Sequence, residues 1–104
     1  MDIHIGIVNQ RLKLRTNVKS IATDNRKFIR FVFDLPNDWD GLEVEVQFSQ
    51  DDSKYKYTLD SKNSVYFPSE ITEGEFSLGI RGTGNDVIAT TSPITMYACD
   101  PSKE

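Results

Sequence analysis

The sequence predicts an all-β fold: one antiparallel β-sandwich spanning residues 1–104, immunoglobulin-like or jelly-roll-like, with about eight strands. Three observations carry this expectation. Apolar and polar residues alternate at period two along most of the chain, as they do in a strand with one face in water. Clusters of Asn, Asp, Ser, Gly and Pro interrupt these runs about every ten residues. Apolar positions are nowhere sustained at helical spacing.

The elements follow in order. Ile3, Ile5 and Ile7 alternate with His4 and Gly6, and Leu12 and Leu14 with Arg11, Lys13 and Arg15. The run Phe28-Ile29-Arg30-Phe31-Val32-Phe33 is apolar on both faces, which predicts a central or doubly covered strand. Val44, Val46 and Phe48 then alternate with Glu43, Glu45 and Gln47, and Tyr55, Tyr57 and Leu59 with Lys54, Lys56 and Thr58. Val65 and Phe67, then Phe76, Leu78 and Ile80, then Ile94, Met96 and Ala98 complete the set. One helical turn is expected around Ser69–Thr72.

Composition narrows the function classes. The single cysteine, Cys99, cannot form an internal disulfide, and the single histidine, His4, removes every scheme that needs paired imidazoles. Asp2 stands where a signal peptide carries positive charge, and no apolar run reaches the ~20 residues of a membrane span. Synthesis in a reducing cytoplasm, with no membrane partner, is expected. The net charge of −4 hides an asymmetry. Residues 1–30 carry seven basic side chains against two acidic ones, whereas residues 31–104 carry five against fourteen. The simplest arrangement sets basic and acidic strands opposite each other in one sheet, cancelling the blocks internally. The alternative is a two-signed surface that docks on a partner or on a second copy. Arg11, Lys13, Arg15, Glu43 and Glu45 are then the candidate interface.

Catalysis is not expected. His4 falls on the polar face of the first strand, and Cys99 has no cationic neighbour to lower its pKa. The acid-rich segment around Asp38 and Asp40 fails as a calcium loop. Aligning Gly41 with the loop glycine puts Pro36 and Gln47 where the pattern requires carboxylates. No metal or cofactor is expected, and no nucleic acid, since the basic stretch lacks interleaved aromatics before Phe28. Trp39 has two readings: a core plug flanked by Leu35 and Leu42, with Gly41 permitting the tight turn, or a ligand platform shared with Tyr55, Tyr57 and Tyr66.

The ordered elements from Phe28 to Thr95, about two thirds of the chain, resemble a small β-sandwich domain of bacteriophage virion proteins. The resemblance rests on the strand Phe28–Phe33 followed by Asp38-Trp39-Asp40-Gly41-Leu42, then Tyr57-Thr58-Leu59 and Val65-Tyr66-Phe67-Pro68. It closes with Gly74–Gly82 and Ile88–Ile94. Trp39-Asp40-Gly41-Leu42 is its most specific part. The resemblance implies a non-enzymatic structural or attachment module in a virion, in its fibre, tail, baseplate or head decoration. It further implies other virion proteins as partners, with a homotrimer the expected self-association. Two other classes fit the size and charge: a small acidic phage-encoded inhibitor of a host defence protein, and a carbohydrate-binding adsorption domain that grips host surface glycan.

Overall fold

A computed structural model describes residues 2–18, 20–23, 28–84 and 86–99. The described residues form ten strands: β1 (Asp2–Val8), β2 (Arg11–Leu14), β3 (Ile21–Ala22), β4 (Arg30–Asp34), β5 (Glu43–Gln50), β6 (Ser53–Thr58), β7 (Ser64–Tyr66), β8 (Gly74–Gly84), β9 (Val87–Thr90) and β10 (Ile94–Cys99). They form two sheets, of order β2-β1-β4-β7 and β3-β10-β8-β5-β6, with β9 also paired to β8. The all-β sandwich read from the sequence is the observed fold.

The eight anticipated strands are all present; β3 and β9 are additional. β3 is two residues long, too short to display a period, and β9 is largely exposed along its length. Neither leaves an alternating trace. The sheets are mixed rather than wholly antiparallel: β1 runs parallel to β4, and β3 parallel to β10. Period two is the same in both directions, so the alternation carries no information on this point.

The core forms where the two inner faces meet. β4 contributes Phe31 and Phe33 and lies between β1 and β7, inside its sheet as its composition suggested. Phe31 meets Phe48 of the opposite sheet with ring centroids 5.7 Å apart, and Phe67 stacks on Phe76 at 5.7 Å. Ile3, Ile5, Val46, Leu78 and Ala98 are fully buried around them.

Turn chemistry sets the connections. Asn9 and Gln10 both adopt positive φ (51° and 63°), as a two-residue turn matched to strand twist requires. At the β6–β7 connection the Asp60 carboxylate accepts hydrogen bonds from the Lys62 and Ser64 N–H groups (2.9 and 3.0 Å) and from the Ser64 hydroxyl. These donors, Ser64 first, hold the Asp60 carboxyl below its ordinary pKa. The segment Ser69–Thr72 is not helical. Pro68 to Ile71 make a turn, whereas a short 3-10 turn forms at Asn37–Trp39. Gln50 at the end of β5 pins the segment, donating to the Thr72 carbonyl (2.7 Å) and accepting from the Thr72 N–H (2.9 Å).

Candidate functional site

The basic strand β2 is the outer strand of the four-stranded sheet, bridged at its first residue to Ser92 in the connection between β9 and β10. Alternation buries Leu12 and leaves Arg11, Lys13 and Arg15 exposed. The registers Val8↔Arg11 and Gly6↔Lys13 set these cations on the sheet's outer face. The three are not equivalent. Arg15 folds over Gly6, whose missing side chain leaves room for the guanidinium, and reaches Asp34 at 3.7 Å. Arg30 pairs with Asp2, its neighbour in register, through two hydrogen bonds of 3.3 and 3.0 Å. That contact holds the Asp2 carboxyl below its ordinary pKa and Arg30 above its own. Arg11 and Lys13 have no such partner among the described residues. Val8, 48% exposed, stands beside Arg11, and an open depression runs along Val8, Asn9, Arg11 and Lys13.

Glu43 and Glu45 lie in the other sheet, on β5. The simplest expectation, that the basic and acidic strands face each other in one sheet, is therefore corrected. The hairpin turn at Asn9-Gln10 returns β2 onto β1, while the chain crosses between sheets before β5 begins. Glu45 instead stands opposite Arg81 of β8, and Glu43 opposite Thr83. The acidic pair is thus set among other polar side chains of the six-stranded sheet's outer face.

The aromatic platform is also corrected. Trp39 is 5% exposed and lies against the inward-facing Gly82 of β8. A Cβ at Gly82 would sit 2.9 Å from the ring atoms Cε3 and Cζ3, closer than packed atoms approach. Gly41, at φ 82°, turns the chain after the plug. Tyr55 and Tyr57 point inward on β6, where Tyr57 packs edge-on against Phe48 at 6.0 Å and donates its hydroxyl to Glu70 at 2.5 Å. Burial first, then this hydrogen bond, pushes the Tyr57 phenol up to about 12. Tyr66 is 59% exposed, opposite Arg30 on the outer face of the other sheet. The four rings do not share one surface: alternation turns Tyr55 and Tyr57 to the core side of β6, Trp39 is buried from the 3-10 turn Asn37–Trp39, and Tyr66 stays outside.

His4 is exposed on β1, its backbone N–H bonded to Thr16 Oγ1 at 2.8 Å, and Cys99 is half-buried at the last position of β10. Asp38 and Asp40 are exposed on either side of Trp39.

Sequence reasoning did not single out Gln47, Lys56, Gly79 and Arg81. The alternation marks each as outward-facing, but only the pairing of β6, β5 and β8 brings them together. No protein-family model matches this chain, and a search of curated proteins finds no match either.

Proposed function

We propose that this chain is a non-enzymatic docking module of a bacteriophage particle, a fibre, tail, baseplate or head-decoration component that works by protein–protein contact. The observation that carries the docking mechanism is the division of the outer cations into paired and unpaired. Arg15 and Arg30 are neutralised within the subunit, whereas Arg11 and Lys13 stand beside the exposed Val8 with no partner among the described residues. An exposed apolar side chain next to two cations is a small anchor with electrostatic steering beside it, suited to an acidic partner surface. The particle setting comes from the resemblance of the elements between Phe28 and Thr95.

Placing β2 and β5 in different sheets supports contact between subunits. The basic outer face of one copy can meet a Glu-bearing face of another, or an acidic patch on a virion neighbour. Such contacts weaken with salt, because exposed charges are screened beyond about 8–10 Å near physiological ionic strength. Mass spectrometry of purified particles should find the chain at fixed stoichiometry, and Arg11→Glu/Lys13→Glu should deplete it. Light scattering should show any trimer dissociating as salt rises. Absence from particles, with capture of a host defence nuclease instead, would replace this reading with the inhibitor class. Incorporation unchanged by the double charge reversal would remove β2 from the mechanism.

A further inference from the structure

The outer face of the six-stranded sheet carries an open groove of about 400 Å³, within the ~300–1,000 Å³ range of small-molecule sites. Strand register builds it. Thr58, Glu45, Arg81 and Thr90 form one row across four strands, and Lys56, Gln47 and Gly79 form the next. Gly79 makes the floor. It presents hydrogen where its neighbours present side chains, and Pro93 stands at its edge, 3.6 Å from where a Cβ would be. Ile88, 65% exposed, adds an aliphatic wall.

The fold uses the Thr91 hydroxyl, which accepts from the Ile80 N–H at 3.1 Å, but not the charged and amide side chains of this groove. Glu45, Gln47, Lys56 and Arg81 make no side-chain hydrogen bond or ion pair among the described residues, whereas the outer face of the other sheet holds the Arg15–Asp34 and Arg30–Asp2 pairs. A rigid strand framework that presents unused donors and acceptors around a depression is organised for a polar ligand.

The chemistry of the ligand follows from the lining. Lys56 and Arg81 outweigh Glu45 by one charge, so the ligand carries an acid group. Glu45 and Gln47 supply acceptors for hydroxyl donors, and Gln47 a donor as well. Strands about 4.8 Å apart place these groups at separations comparable to the span of a sugar ring. A peptide is less suited. The backbones of β5 and β8 are already paired on both sides, so no strand can be added there, and the groove offers no row of apolar side-chain pockets. We propose that this groove binds an acidic saccharide, its carboxylate held by Lys56 and Arg81 and its hydroxyls by Glu45 and Gln47. The site is separate from the docking face around Arg11 and Lys13 and does not depend on that reading.

The test is an NMR titration of the whole chain with three probes: a uronic-acid tetrasaccharide, the same tetrasaccharide with its carboxylates reduced, and tetraglutamate. The acidic saccharide should shift the amides of Gln47, Gly79 and Arg81 saturably. The reduced saccharide should bind at least about tenfold more weakly, and tetraglutamate should not saturate. Gly79→Val should abolish binding while every charge remains, since valine suits a strand and its Cβ has room beside Pro93. Should that variant fail to fold, Lys56→Gln/Arg81→Gln, altered only at outward positions, should erase the preference for the acidic over the reduced saccharide. Arg11→Glu/Lys13→Glu should bind the saccharide like the parent chain. No saturable shift with either saccharide, equal binding of tetraglutamate, or shifts centred on Val8–Lys13 would overturn the proposal.

Discussion

Truncating Trp39 to alanine should be among the most destabilising single changes in this protein, and its size can be worked from the packing. The side chain is 5% exposed, and a buried tryptophan covers on the order of 200 Å². Truncation removes on the order of 150 Å² of that, worth about 4 kcal/mol at about 25 cal/mol per Å². The surroundings cannot refill the space easily, because the wall facing the ring is Gly82, which has no side chain to move inward. A cost of about 3–5 kcal/mol follows, a large share of the ~5–15 kcal/mol that holds a domain together. In a chain of this size the melting temperature should fall by roughly 15–30 °C. The converse perturbation is Gly82→Ala. Its methyl would stand 2.9 Å from the indole and 3.0 Å from Leu42 Cδ1, an overpacking that costs about 1–3 kcal/mol. In the Trp39→Ala background the indole contacts are gone and only the one with Leu42 remains, so its cost should fall sharply. Urea denaturation of the four proteins closes the cycle, with a coupling of about 1 kcal/mol or more expected. The parent tryptophan emission should be blue-shifted and protected from quenchers. A Trp39→Ala cost below about 1 kcal/mol, or additivity within about 0.5 kcal/mol, would refute the plug.

Three further outcomes are expected. The fold favours the neutral Tyr57 phenol, so its contribution is complete below the ordinary tyrosine value of 10 and is lost as pH rises through about 12; Tyr57→Phe should remove that alkaline loss from thermal melts. Gln50→Leu should cost about 1–3 kcal/mol in denaturant titration, toward the lower end because water can reach the exposed Thr72 groups it leaves. His4→Ala and Cys99→Ser should leave function intact and EDTA should leave the melting temperature unchanged, whereas a drop of more than a few degrees with EDTA would point to a cation at Asp38 and Asp40.

Local physics makes much of this fold readable without coordinates. Period-two alternation placed Ile3, Ile5, Val46, Phe48, Phe76 and Leu78 on inner faces, since a strand turns successive side chains to opposite sides whatever it pairs with. The flanking Leu35 and Leu42 and the following Gly41 made Trp39 a candidate plug, and its burial agrees. Strand partners were not readable, because alternation is blind to direction and neighbour. Tertiary structure alone put β1 parallel to β4 and separated the basic β2 from the acidic β5. It also drew Arg15 across Gly6 to Asp34, leaving Arg11 and Lys13 as the outer cations of that strand. The groove around Gly79 has the same origin. Each of its side chains is outward-facing by sequence, but their meeting is a matter of register between strands distant along the chain. Alternation along one strand is set by covalent geometry; proximity between strands is set by which pairing buries the most apolar surface, and that is a property of the whole chain.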